Sequence, residues 1–330
     1  MKVAFFSTKS YDKEYFNLFN SGNFHELSFF EVPLNQQTAI LTAGFDAVCV
    51  FVNDSMDRET IEMIAKNGIK LIALRCAGFN NVDLKAAGDH GIRVVRVPAY
   101  SPESVAEHAA ALILTLNRKT HKAYNRVREG NFSIENLTGF NLYGKTVGVI
   151  GTGLIGAAFC KIMLGFGCKV LAFDIKKSND LLNKGVLYKN LDDLLIESEI
   201  ISLHCPLTAQ TSHMIDAEAI AKMKDGVMII NTSRGALIKA KDAIEGLKTG
   251  KIGYLGIDVY EQEGNLFFQD LSESVILDDV IARLISFPNV LITGHLGFFT
   301  REALEEIATI TLNNLSSFDK DKVMTNEVKA

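Results

Sequence analysis

The chain has 330 residues, 48% of them hydrophobic and 22% charged, with a formal net charge of −5. That length implies two domains with a sizeable core in each, and the acidic balance argues against a nucleic-acid partner. No stretch reaches the roughly 18 uninterrupted apolar residues of a membrane span, and MKVAFFSTKS is too short an apolar run for a secretory signal, so a cytoplasmic protein without membrane partners is expected.

In chain order, the first hundred residues offer the apolar runs KVAFFST, ELSFFEV, AVCVFVN, KLIALRC and RVVRVPAY, with helical stretches at Arg58 to Asn67 and Leu84 to Asp89. Near-continuous apolar strands joined by helices predict a parallel sheet covered on both faces. At Ser101 the rhythm changes. Ser101 and Pro102 suit a helix start, Val105, Ala109, Leu112 and Leu116 recur at helical spacing, and polar residues carry one long connecting helix to about Arg128. A second series follows, TVGVIG, KVLAFD, EIISLHC, GVMIINTS, YLGIDVY and NVLITGH, which predicts six strands of a dinucleotide-binding sheet. An amphipathic segment from Arg301 to Phe318 closes the chain. The cysteines Cys49, Cys76, Cys160, Cys168 and Cys205 sit in apolar segments without a CxxC pair, which reads as reduced, buried thiols and no metal site.

Gly151-Thr152-Gly153-Leu154-Ile155-Gly156 is a G-x-G-x-x-G run placed between a strand and an apolar helix. Its glycines permit a tight turn, close approach of a pyrophosphate and helix-to-strand packing, while the helix N-terminus presents N–H groups to phosphate. Asp174 ends the next strand, where a carboxylate accepts hydrogen bonds from the adenosine ribose and repels the extra phosphate of NADP. The expected cofactor is NAD.

Ligands of an open parallel sheet collect beyond the carboxyl ends of its strands. There lie Thr232-Ser233-Arg234, then Tyr260, Glu261 and Glu263, then Gly294 and His295. Oxidation of a 2-hydroxy acid calls for a guanidinium to hold the substrate carboxylate, an imidazole to take the hydroxyl proton, and a carboxylate to orient that imidazole and stabilise its protonated form. Position alone leaves Glu261 competing with Glu263 and His204 with His295, and Arg234 reads equally as a surface salt-bridge partner.

Several segments are more specific: RCAGFNNVD from Arg75, VPAYSPESVAEHA from Val97, GKTVGVIGTGLIG from Gly144, ISLHCPLT from Ile201, NTSRGALI from Asn231, DVYEQE from Asp258, and GH-x-x-F from Gly294 to Phe298. Through these the chain resembles, over its whole length, the D-2-hydroxyacid dehydrogenase family and within it the fermentative D-lactate branch. The resemblance implies two doubly wound α/β domains joined by long helices: a flavodoxin-like substrate domain (1–100 plus 299–330) and a Rossmann NAD-binding domain (101–298). It implies reversible, NADH-dependent reduction of pyruvate to D-lactate, with Arg234 on the substrate, His295 as acid/base and Glu263 as its partner, and it makes His204 structural. It further implies substrate contacts from Ala77, Gly78, Tyr100, Phe51 and Phe298. The NAD lining would be Cys205, Pro206, Thr211, Thr232, Ser233 and Asp258, in a homodimer or homotetramer. Gly297 stands where many D-lactate enzymes have alanine, as in glyoxylate and hydroxypyruvate reductases. A sibling reductase acting on another 2-keto acid and a non-catalytic NAD-sensing interaction protein are the competing readings.

Overall fold

The computed structural model describes residues 1–22 and 24–329 and divides into two compact units, Met1–Ser101 with Phe299–Ala330, and Pro102–Phe298. Each is built on one parallel sheet. In the N-terminal unit the strands β1 (Lys2–Phe5), β2 (Glu26–Phe29), β3 (Ala47–Val50), β4 (Leu71–Leu74) and β5 (Arg93–Arg96) run parallel in the order β2-β1-β3-β4-β5, the flavodoxin-like winding. The short strand Glu327–Val328 adds antiparallel to β5, and its two-residue length is why no sequence pattern announces it. The central strands AVCV and LIAL are buried along their whole length, as a sheet covered on both faces requires. Aspartates start two of the covering helices: Asp57 accepts from Thr60 N–H before Arg58–Lys66, and Asp83 from Ala86 N–H before Leu84–Asp89.

The second unit holds β6 (Thr146–Ile150), β7 (Lys169–Phe173), β8 (Leu187–Tyr188), β9 (Ile200–Leu203), β10 (Val227–Asn231), β11 (Ile252–Ile257) and β12 (Val290–Ile292). All are parallel, in the order β12-β11-β10-β9-β6-β7-β8. The order reverses between β6 and β9, the switch point at which such sheets bind dinucleotides. The sheet has seven strands where the sequence pattern suggests six; the extra one is β8, too short for a hydrophobic period. Leu112, Ile113 and Leu116 of the helix Pro102–Arg118 pack with Phe159 and Met163 of the helix Leu154–Gly165 on one sheet face. Ile201, Leu203, Ile229, Leu237 and Leu255 belong to the core on the other.

The connecting segment is not one helix. Pro102–Arg118 and Thr120–Arg128 are separated by Lys119, whose backbone is left-handed at φ +50°. The Lys119 ammonium donates to the carbonyls of Asn136 (2.8 Å) and Thr138 (3.2 Å), which ties the break to a neighbouring loop. A lysine carries no local signal for a left-handed residue, so apolar periodicity runs past the break unmarked.

Candidate active site

The glycine run forms the turn between β6 and the helix Leu154–Gly165, and each glycine is there for its own reason. Gly151 has φ +91°, and a Cβ on it would lie 2.6 Å from the Cys205 nitrogen. A Cβ on Gly156 would lie 1.9 Å from the Gly151 carbonyl oxygen, so only glycine lets helix and turn pack. Gly153 differs. It caps the helix with φ −62° and has open space where a Cβ would stand, so nothing in the protein demands a glycine there. The open space leaves the backbone there within reach of a ligand. A second fit to a dinucleotide is the Thr232 hydroxyl just past β10, buried and without a hydrogen-bond partner among the described residues.

Asp174, one residue past β7, accepts from the Thr152 N–H (2.5 Å), the Thr152 hydroxyl (3.1 Å) and the Lys176 N–H (2.9 Å). Burial pushes its carboxyl up, but the hydrogen bonds from Lys176 and Thr152 outweigh it and hold the group below the usual carboxylate range, charged at neutral pH. Between β9 and β10, the Ser233 hydroxyl donates to the Cys205 carbonyl (2.7 Å), and the Thr211 hydroxyl donates to the Pro206 carbonyl (2.7 Å), closing the turn after Cys205. Burial pushes the Cys205 thiol up to about 11, so it is no nucleophile. Leu154 and Ile155 open the helix with the first-turn N–H groups.

The strand-end trio follows three adjacent strands, β10, β11 and β12. His295 Nδ1 lies 3.0 Å from Glu263 Oε1, with both side chains largely buried. A carboxylate only accepts, so the shared proton sits on Nδ1 and leaves Nε2 as the working nitrogen. The other Glu263 oxygen accepts from the Tyr260 N–H (3.1 Å), fixing the carboxylate from its own loop. Glu261 is engaged elsewhere: its Oε1 meets His213 Nε2 at 2.6 Å. His204 is packed against Phe159 (4.8 Å between ring centroids) and bonded to the Ser202 hydroxyl, and burial pushes its imidazole far down, so it stays neutral. Geometry thus separates the pairs that position along the chain leaves tied.

Arg234 is half-buried and, among the described residues, forms no salt bridge; one guanidinium nitrogen donates to the Ser233 carbonyl (2.7 Å). A cation removed from water without a counter-charge is poised for an anionic ligand. The next residue fixes its loop: a Cβ on Gly235 would lie 2.0 Å from the Tyr260 carbonyl carbon, so the Arg234 turn sits directly on the backbone that leads to Glu263.

Asp258, just beyond β11 and 1% exposed, collects the loop that carries His295. Its Oδ1 accepts from the Thr293 hydroxyl (2.5 Å) and the Leu296 N–H (2.9 Å), and its Oδ2 from the Gly297 N–H (2.8 Å). His108, from the helix Pro102–Arg118, reaches Thr293 Oγ1 (3.0 Å) and Asp258 Oδ1 (3.3 Å) through Nε2. Burial pushes the Asp258 carboxyl up, and the bonds from His108, Thr293 and Leu296 more than reverse it, leaving it lowered and charged. The two N–H groups donated to Asp258 directly follow His295, whose backbone is left-handed at φ +56°, a conformation a non-glycine residue keeps only when its surroundings impose it. Sequence reasoning assigned Asp258 to the cofactor and missed His108 and Thr293. The available signal is a histidine directly before the apolar run Ala109–Leu114 of a helix.

In the N-terminal unit, Ala77 and Gly78 lie in the loop after β4, both half-buried. Phe51 follows β3 and is 9% exposed, with the Arg75 guanidinium 4.9 Å from its ring centre, and Tyr100 lies at the end of the unit, half-buried. Phe298, at the end of the second unit, is buried.

Residues 110–297 match the family model described as the NAD-binding domain of D-isomer specific 2-hydroxyacid dehydrogenases. Over 328 residues the chain is 55% identical to the D-lactate dehydrogenase of Escherichia coli K12, covering 99% of this chain and 100% of that one. It is similar to the solved structure of the pyruvate reductase of Chlamydomonas reinhardtii, with TM-score 0.94 and 47% identity, covering 99% and 98% of the two chains. A D-lactate dehydrogenase from Aquifex aeolicus, solved with NAD and lactic acid, superposes with TM-score 0.88 and 36% identity over 99% of each chain.

Proposed function

The chain belongs to the D-isomer specific 2-hydroxyacid dehydrogenases, with NAD as cofactor, and from that premise we propose that it is a D-lactate dehydrogenase reducing pyruvate. The observation that carries this reading is the His295–Glu263 pair beyond a strand end next to that of Arg234, a half-buried cation with no carboxylate partner among the described residues.

The Gly151–Gly156 turn, Asp174, Thr232 and Ser233 would hold NAD, which would supply the hydride for the keto carbon. Arg234 clamps the substrate carboxylate and polarises the neighbouring carbonyl. His295, doubly protonated, gives its Nε2 proton to the keto oxygen, and Glu263 keeps the ring oriented and its cationic form stable while it does so. In the reverse direction neutral His295 accepts the hydroxyl proton at the same nitrogen. Phe298 contributes to the apolar wall that faces the substrate methyl.

The enzyme works in the cytoplasm, in keeping with five buried cysteines that form no disulfide among the described residues. It assembles as a homodimer or homotetramer, supported by apolar side chains left exposed along one stretch of the second unit: Tyr124 at 61%, Phe132 at 75% and Ile134 at 82%. Light scattering on the purified protein tests the assembly, and a monomer overturns it. Oxidation of NADH against a panel of 2-keto acids tests the activity. Pyruvate as best substrate supports it; preference for glyoxylate, hydroxypyruvate or a longer acid makes the protein a sibling reductase; tight NADH binding without turnover makes it a sensor.

A further inference from the structure

Beyond β4 the chain turns through Cys76, Ala77, Gly78 and Phe79, and two successive peptide groups of this turn are gripped by their carbonyls. The Cys76 carbonyl accepts from the Val97 N–H (3.2 Å), and the Ala77 carbonyl accepts from an Arg96 guanidinium nitrogen at 2.6 Å. Every peptide bond described is trans, and in a trans peptide the N–H points opposite to the carbonyl. The Ala77 N–H is therefore turned away from Val97, and the Gly78 N–H away from Arg96. Neither donates to a protein acceptor among the described residues. Unpaired N–H groups on half-buried residues, directed by carbonyls that cannot rotate, are preset for an anion.

Arg96 is itself held from several sides. Its backbone N–H donates to the Asn326 carbonyl (3.1 Å), its carbonyl accepts from Asn314 Nδ2 (3.0 Å), and its guanidinium lies 5.1 Å from the centre of the Phe79 ring. The Cys76 thiol, donating to the Gly78 carbonyl at 3.2 Å, steadies the other side of the same turn.

We infer that Arg96 is a positioning residue for substrate binding: by gripping the Ala77 carbonyl it aims the Gly78 N–H at the carboxylate of the 2-keto acid. This rests on the proposed function, taken with the substrate contacts at Ala77 and Gly78 that the family resemblance implies. A guanidinium that only clasped the turn would contribute to stability and leave substrate affinity alone.

The test is a titration of the NADH-loaded enzyme with oxamate, which carries the same carboxylate as pyruvate and is not reduced, beside steady-state kinetics with the best 2-keto acid. Arg96→Met removes the donor and keeps the stem. It is expected to raise the oxamate Kd and the 2-keto acid KM about tenfold, in line with weakening one hydrogen bond to a charged group, while the NADH Kd stays within about twofold. Arg96→Lys, which still reaches the carbonyl with a donor, recovers most of the loss. Arg96→Gln, whose head is too short, matches the Met variant and stands in for it should that fail to fold. An oxamate Kd unchanged in the Met and Gln variants overturns the role, as does an equal loss of NADH and oxamate affinity, or a Lys variant no better than Met. Wild-type enzyme that neither binds oxamate nor reduces any 2-keto acid overturns the proposed function itself, so the two failures are told apart.

Discussion

Arg75 and Arg234 each follow a strand of a parallel sheet, one in each unit, and they meet opposite fates. Arg75, 1% exposed beyond β4, is paired through Nε with Asp12 at 3.1 Å and through Nη2 with the Ser7 carbonyl at 3.0 Å, and lies over the Phe51 ring. Burial would pull its pKa down, but Asp12, with Cys49 and Asp54 behind it, raises it above the ordinary value and keeps it charged. Arg234, beyond β10, is left without a carboxylate among the described residues. The same side chain at the same kind of strand end is structural where its charge is neutralised by the fold and ligand-seeking where it is not. What distinguishes a site is the charge the fold leaves unanswered.

The comparison breaks most visibly at Arg234. Arg234→Gln is expected to lower kcat/KM for pyruvate roughly a thousandfold, the loss of the half-buried cation proposed to hold the substrate carboxylate, with thermal stability nearly unchanged. A drop in melting temperature matching the loss of activity would make Arg234 structural after all. Arg75→Met should do the reverse and destabilise the fold by about 3–5 kcal/mol, because Asp12 is left as a buried, unpaired carboxylate. Urea titration reads this directly, and a loss below about 1 kcal/mol would contradict the pairing.

Much of the architecture is legible because parallel strands are continuous apolar runs: VMIIN and LIAL need no long-range information to be read as buried β. The two-residue strands and the left-handed Lys119 are not, since they depend on an existing sheet edge and on carbonyls of a distant loop. The glycine turn is legible because its spacing is its mechanism. The choice of Glu263 over Glu261 is not, for two residues along a loop reverse which way a side chain faces, and only the fold shows His213 already occupying Glu261. From the sequence, Asp258 is given only as part of the NAD lining that the resemblance implies; its hold on the loop that carries His295 comes from residues more than thirty-five positions away, which no local pattern reports.

Within the second unit, smaller effects separate the proposed acid/base pair, His295 and Glu263, from its support. Glu263→Gln should lower kcat about a hundredfold with NADH affinity intact, since the ring loses both its orienting acceptor and the charge that stabilises its protonated form. Equal loss of NADH binding would place Glu263 on the cofactor. Asp258 gives a pH signature. Its folded-state pKa is depressed, so the stability it contributes is complete above the ordinary aspartate value near pH 4 and is lost as pH falls through the lower folded value. Asp258→Asn should therefore be less stable at pH 7 by about 1–3 kcal/mol, and its urea midpoint should fall less steeply than that of the wild type between pH 5 and pH 3. Parallel curves would remove Asp258 from the acid limb.

The smallest effect expected is at Gly297, and it decides between two explanations of one glycine. Its presence where many D-lactate enzymes carry alanine could mark a reductase for glyoxylate or hydroxypyruvate. The fold supplies a reason that needs no substrate: a Cβ there would stand 3.0 Å from Asp258 Oδ2, the oxygen that accepts the Gly297 N–H, and 3.5 Å from His108. An alanine must move that carboxylate by a few tenths of an ångström, and with it the loop that holds His295. Gly297→Ala should accordingly lower kcat only about two- to threefold, the scale of a slight misplacement of the acid/base, and leave the ranking of 2-keto acids untouched. If the ranking changes while kcat on pyruvate holds, the glycine belongs to the substrate pocket and the Asp258 contact is incidental. Equal scaling of every substrate's rate assigns it to the support of His295.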